Sequence, residues 1–259
     1  MGSGGLHVGA RLDFIHALAK GLAVLESFDT ERQTHNATTA AQRAGITRTS
    51  ARRYLLTLSE LGYLSSQDGQ WFALTPKVLR TSGCYLASAR LPRVVQSTLN
   101  KLSLELGVVV SVAVQDDDQI VVVARSGTTQ FAAYGIHLGA RLRTHATSTG
   151  RVLLAALDDA QLQAWLERSA LRRLTNRTTT DPAQLAALIR EVRAQDYSLA
   201  EEEHELGICA LAVPLRDMSG RVVAAMNLVF PAAHGCMGER QLPWLRAMRA
   251  AAGEIQALL

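Results

Sequence analysis

Cysteine is scarce: three in 259 residues (Cys84, Cys209 and Cys236), odd in number and without a C-x-x-C pair. That argues against a disulfide framework or a zinc site and suits a reducing cytoplasm. No apolar run approaches the ~18–20 residues that a membrane helix requires. The opening Met1-Gly2-Ser3-Gly4-Gly5 lacks the apolar stretch of a signal peptide, so residues 1–12 are expected to be a flexible leader. A soluble, intracellular protein is the expectation.

Catalytic signatures are also missing. His204, in Glu201-Glu202-Glu203-His204-Glu205, has no second histidine at i±4, so a polar loop fits better than a metal site. Thr147-Ser148-Thr149-Gly150-Arg151 resembles the end of a phosphate loop but lacks its leading glycine and its lysine. G-x-S-x-G and G-x-G-x-x-G are absent. Cys209 lies in an apolar run, the usual place of a small core residue. Neither an enzyme nor a bound cofactor is expected.

The most informative absence is local. Between Arg32 and Ser59 there is no Asp or Glu, while five Arg occur. Overall the chain is ordinary, with 48% hydrophobic and 19% charged residues, a net charge of +4 and a pI near 9.2. The local excess therefore says more than the global one. The stretch reads as a short helix, a turn at Gly45 and a second helix with Thr47 as N-cap. At 100° per residue Ala51, Leu55 and Leu58 fall on one face, with Leu61 close by. Arg48, Thr49, Arg52 and Arg53 point elsewhere, with Ser50 in the first turn. An apolar inner face and an arginine-rich outer face after a glycine turn predict a helix-turn-helix that reads double-stranded DNA.

Taken in order, residues 13–28 place Phe14, Leu18, Leu22, Leu25 and Phe28 at helical spacing, predicting a helix behind that pair. Residues 29–37 read as a loop, with Thr38 or Thr39 capping the next helix. Two β-prone runs around Asp68-Gly69 predict a hairpin, a wing whose Ser65, Ser66 and Gln67 would lie along the DNA backbone. The same hairpin can complete the small core through Trp71 and Phe72. Pro76 opens a linker helix that should end before Leu91-Pro92. The expected domains are 13–75, a linker at 76–91 and a larger domain at 92–259.

In that larger domain a helix over 93–106 precedes predicted strands at 108–114, 120–124 and 131–138. A helix begins at Thr147, and others follow at 159–168 and 182–195. Strands at 208–215 and 222–230 and a last helix at 239–258 complete an α+β pattern with an antiparallel sheet. Such a domain commonly holds a small molecule between sheet and loops.

These motifs together resemble the IclR family of bacterial transcriptional regulators, from about Phe14 to the end. The resemblance rests on the winged helix-turn-helix, on residues Ala146 to Ala155, and on Glu203-His204-Glu205-Leu206-Gly207-Ile208 leading into Ala212-Val213-Pro214. Residues Gly21 to Glu26, Arg48 to Leu55, Ser88 to Pro92 and Tyr134 to Gly139 look like the branch that regulates aromatic-acid catabolism, most like a 4-hydroxybenzoate-responsive activator.

The resemblance implies a GAF-like effector domain and a homodimer or dimer of dimers, with RNA polymerase as a partner of an activator. It implies that backbone amides at Thr147, Ser148 and Thr149 hold the effector's carboxylate, which agrees with the anion affinity of helix N-termini. Ala200, Ile208 and Ala210 would line the pocket, with Asn227 and Val229 on the facing strand. Tyr134, His137 and Arg143 are further candidates from the preceding loop, where ordinary packing is an equal alternative. The apolar character of Ala200, Ala210 and Val229 suits an aromatic ring. Protocatechuate or a small keto acid remains an alternative effector, and an enzyme scaffolded by the helix-turn-helix is the remote one.

Overall fold

Asn36 starts the second helix of the chain. In the computed structural model, which describes residues 13–29, 31–127, 137–232 and 241–259, its side chain accepts from the N–H of Thr38 and Thr39 at 2.9 and 3.0 Å. Thr39 returns the bond by accepting from the Asn36 N–H, so the expected capping threonine is the third helical residue of a capping box. This helix, α2 (Ala37–Ala44), stops at Gly45 with φ +64°, a left-handed conformation that favours glycine. Thr47 then caps α3 (Arg48–Glu60) by accepting from the Ser50 N–H at 3.2 Å.

Ala51, Leu55 and Leu58 of α3 are buried against Ala40 and Ala41 of α2 and Val24 of α1 (His16–Leu25). Full burial of a residue such as Leu55 contributes roughly 1.5–3 kcal/mol. Leu61 lies beyond the last helical turn and is exposed, so it is not part of that face. The face of α1 also differs from expectation: Leu18 and Leu22 are 60% and 48% exposed, while Val24, Leu25 and Phe28 enter the core. Val24 lies about 160° round the helix from Leu22, so contact at the C-terminal end turns the other apolar residues outward.

The segment expected as a loop contains a short strand, β1 (Thr34–His35). It pairs with β3 (Phe72–Leu74), which also pairs with β2 (Leu64–Ser65). β2 and β3 form the wing. Its six-residue connection is organised by Asp68, whose carboxylate accepts from the N–H of Gln70 and Trp71 at 2.8 and 2.9 Å. Phe72 is buried and Trp71 is exposed, so only the first completes the core. A 3₁₀ turn at Pro76–Val78 leads into α4 (Leu79–Ser88).

The chain divides into two compact units, Met1–Ala87 and Ser88–Leu259. The second begins with α5 (Arg90–Leu106), earlier than expected: the break is at Ala89, and Pro92 lies inside the first helical turn, where no N–H is needed. A six-stranded antiparallel sheet has the order β6-β5-β4-β9-β8-β7. Its strands are β4 (Val110–Asp116), β5 (Gln119–Arg125), β6 (Arg141–Arg143), β7 (Ser198–Glu201), β8 (Ile208–Arg216) and β9 (Val222–Pro231). β6 and β7 are additions to the expected set. Of the strand expected at 131–138, residues 131–136 lie outside the described residues, and Leu138 lies in a turn.

Alternation along β8 and β9 divides the core. Leu211, Val213, Met226 and Leu228 face α5 and α9 (Gln241–Gln256), whereas Ala212 and Ala225 pack with Val152 and Leu153 of α6 (Ser148–Ala155). Behind α6, Trp165 of α7 (Asp159–Arg168) meets Leu185 and Ile189 of α8 (Pro182–Gln195). Cys209 is fully buried in the core, as expected of a small core residue, and Cys84 is free and exposed.

Candidate functional site

The α3 surface is built from its own periodicity. With Ala51, Leu55 and Leu58 turned inward, Arg48, Thr49, Arg52 and Arg53 are all exposed. Among the described residues no carboxylate pairs with Arg48, Arg52 or Arg53, whereas Arg43 on α2 is paired with Asp29. Thr47 and Ser50 are engaged in the cap, the Thr47 hydroxyl donating to Ser50 Oγ at 2.9 Å. In the wing, Ser65 and Gln67 are exposed, but Ser66 shapes the turn by accepting from the Gly69 N–H at 2.9 Å. N–H groups of Trp71 and Gln70 hold the Asp68 carboxyl below its ordinary pKa, so the wing tip carries a firm negative charge.

The second unit holds a cavity between the start of α6 and one face of the sheet. Ile120, Leu142, Ala200, Ile208, Ala210 and Val229 make its apolar walls. Ala146, Thr147, Ser148, Thr149, Glu203, His204 and Asn227 complete it. The structure thus brings together eight expected residues: Thr147, Ser148 and Thr149 from α6 and its cap, Ile208 and Ala210 from β8, Ala200 from β7, and Asn227 and Val229 from β9. Arg143 does not line the cavity and is paired with Asp118, and His137 is exposed and likewise absent from the wall. Tyr134 lies outside the described residues.

Thr147 caps α6, its hydroxyl accepting from the Gly150 N–H at 3.1 Å. The N–H groups of Ser148 and Thr149 in the first turn have no intrahelical acceptor. The preceding 3₁₀ turn (Thr144–Ala146) crosses so close that a Cβ on Gly150 would sit 2.1 Å from Thr144 O, which is why glycine stands there. Ser148 Oγ is buried without a hydrogen-bond partner. Asn227 Oδ1 accepts from Ser111 Oγ at 2.7 Å.

The charge nearest this helix start is neutralised. Arg151, only 3% exposed, forms a buried ion pair with Glu203 and donates from Nε to His145 O at 3.3 Å. Glu203 also accepts from the Thr179 N–H at 3.2 Å, and Thr178 Oγ1 donates to its carbonyl at 2.7 Å. Among the described residues no Lys or Arg lines the cavity. An anion there meets peptide N–H groups and a helix dipole rather than a guanidinium. His204 is held below its ordinary pKa of 6.5, by burial first and then against the pull of Glu205, so its imidazole is neutral near pH 7.

Ile120, Leu142, Ala146, Glu203 and His204 were not foreseen as cavity residues. The first two depend on strand register across the sheet. The Arg151–Glu203 pair spans 52 residues and leaves no periodic trace. His204 looked like part of an acidic loop, and only its neighbour Gly207 hinted at a sharp turn there.

Comparison with known proteins follows the same two-unit division. A family model described as the IclR helix-turn-helix domain matches residues 17–68, and one described as the bacterial transcriptional regulator IclR C-terminal domain matches residues 83–257. The Pca operon regulatory protein of Acinetobacter baylyi is 47% identical over 223 residues, covering 85% of this chain and 80% of the relative. The p-hydroxybenzoate hydroxylase transcriptional activator of the same organism is 49% identical over 220 residues, covering 83% and 81%. Among solved structures, a transcriptional regulator of Rhodococcus sp. RHA1 is 40% identical with a TM-score of 0.78, covering 95% of this chain and 98% of that one. The inducer-binding domain of Acinetobacter PobR, a double mutant in complex with 3-hydroxybenzoic acid, is 39% identical with a TM-score of 0.62, covering 66% and 100%.

Proposed function

Because the chain belongs to the IclR family of transcriptional regulators, we propose that it is a cytoplasmic, non-enzymatic homodimer that couples DNA binding to an aromatic carboxylate. Arg48, Thr49, Arg52 and Arg53 read operator DNA in the major groove, and Ser65 and Gln67 of the wing lie along the backbone. The effector is 4-hydroxybenzoate or a close relative. Its carboxylate is held by the N–H groups of Ser148 and Thr149, and its ring lies against Ala200, Ile208, Ala210 and Val229.

The observation that carries this reading is the cavity's division of labour: apolar walls facing a helix start whose first N–H groups lack an intrahelical acceptor, with no cation among the described lining residues. A two-carbon keto acid would leave those walls in contact with water, while a benzene ring covers them. The bound hydroxybenzoic acid of the PobR inducer-binding domain supports the same ligand class. Ile15, Leu18 and Leu22 leave an apolar face of α1 uncovered, which suits a second copy of the chain. A symmetric dimer requires paired half-sites. The effector then acts by linkage, shifting the equilibrium toward the arrangement it binds better. Activation agrees with the name of a relative, a transcriptional activator, and RNA polymerase is the partner that an activator would contact. Titration calorimetry with 4-hydroxybenzoate, protocatechuate and pyruvate tests the effector class. Tightest binding of 4-hydroxybenzoate is expected, and binding of pyruvate alone overturns the reading.

A further inference from the structure

Several of the cavity's polar groups are donors or already engaged. The α6 start offers N–H groups and the unpartnered Ser148 Oγ beside them, Glu203 Oε2 is engaged by Arg151 and Thr179, and Asn227 Oδ1 is taken by Ser111. One buried nitrogen stands apart. His204 Nδ1 is shielded from solvent and has no hydrogen-bond partner among the described residues. The loop carrying it is pinned on both sides: Glu203 by its ion pair, and Gly207, whose N–H donates to Glu202 Oε1 at 2.8 Å. An unsatisfied buried polar atom is costly, so a fixed orphan on a cavity wall points to a group supplied by the ligand.

We infer that His204 reads the ring hydroxyl of the effector, its Nδ1 accepting the hydroxyl proton in a hydrogen bond. This rests on the aromatic-carboxylate reading of the same cavity and adds the group that selects a hydroxylated ring over a plain one. A carboxylate offers no proton near pH 7 and is served by the helix N–H groups, whereas a phenol hydroxyl is a donor. The surrounding charges agree. Burial keeps the imidazole neutral, Glu205 does not overcome it, and His145 opposes protonation further. The reading requires the tautomer with the proton on Nε2, in which Nδ1 is an acceptor. A site with a committed acceptor rejects the analogue lacking the hydroxyl, because the nitrogen is then left unpaired.

Calorimetric titration of the full chain with benzoate, 3-hydroxybenzoate and 4-hydroxybenzoate tests this through one ratio, the affinity for the better hydroxybenzoate over that for benzoate. The wild-type ratio is expected to be about tenfold or more. In His204→Leu it is expected to fall to about one, whatever absolute affinity remains. His204→Asn places an amide oxygen near the position of Nδ1 and should keep part of the preference. An unchanged ratio in His204→Leu overturns the assignment while leaving the aromatic-acid reading intact. Should the leucine variant bind none of the acids, the asparagine variant decides: a retained ratio supports the role, and a ratio of one overturns it. Wild-type protein that binds none of the three acids sinks the aromatic-acid reading, and this assignment with it.

Discussion

On α3 three arginines stand exposed with no carboxylate beside them among the described residues, whereas in the second unit Arg151, Arg143 and Arg141 are each paired, with Glu203, Asp118 and Asp116. The same side chain therefore serves opposite ends. Unpaired and exposed, a guanidinium is available to phosphates and base edges. Paired, and in Arg151 also buried, it is structural, and recognition of a small anion passes to peptide dipoles. The first kind of site should be governed by salt and the second by shape and hydrogen bonding.

Breaking the buried pair should have the largest effect. Glu203→Ala leaves the Arg151 charge unpaired in the interior, and a loss of about 3–5 kcal/mol of stability is expected. Urea unfolding reads it, and a loss below about 1 kcal/mol would show that Arg151 finds water or another partner. On the other side of the comparison, Arg52→Ala should weaken operator binding by about 1–3 kcal/mol if that side chain reads a base. Fluorescence anisotropy on operator and on random DNA checks it, and equal affinities for wild type and variant on both would remove α3 from the interface. Raising salt from 50 to 200 mM should weaken DNA binding steeply and effector binding little.

A smaller effect is expected from Thr147→Val, which removes the α6 cap. Stability should fall by roughly 1 kcal/mol, and effector affinity should fall as the first turn frays. Retained affinity would mean that the anion does not depend on that turn. The smallest effect is in pH. His145 and His204 both have folded pKa values lowered chiefly by burial. Their neutral forms are favoured in the fold, so their stabilisation is fully present above the ordinary value of 6.5 and is lost as pH falls below it. Thermal melts between pH 7.5 and pH 5.5 should show a falling Tm, with a shallower fall in His204→Asn. Parallel slopes would assign the effect to other groups.

Whatever is local was legible in the sequence. The α3 face follows from a 3.6-residue period, and Thr47 and Gly45 mark its start and the turn before it. α7 and α8 run over the expected 159–168 and 182–195, and in the structure Asp158 and Asp181 cap their starts. Short elements fixed by pairing were not. β1, β6 and β7 run two, three and four residues, too few for alternation to emerge, and exist because longer neighbours hold them. The face of α1 was misjudged because two apolar stripes compete on ten residues. Pro92 suggested an end and sits at a beginning, since proline is tolerated in a first turn. The cavity was legible only through resemblance, because Ser148, Ala200, Ile208 and Asn227 come from four distant segments. Glu203 and His204 stayed hidden in an acidic run until Arg151 gave that run a partner.

The central claim is that the anion end of the effector is held by the main chain at the start of α6. A crystal structure of the protein with 4-hydroxybenzoate tests it most directly. The account predicts the carboxylate within hydrogen-bond distance of the Ser148 and Thr149 N–H groups, with Arg151 still paired to Glu203. A carboxylate bound to Arg143 or Arg151, or lodged outside the α6 cavity, would contradict it.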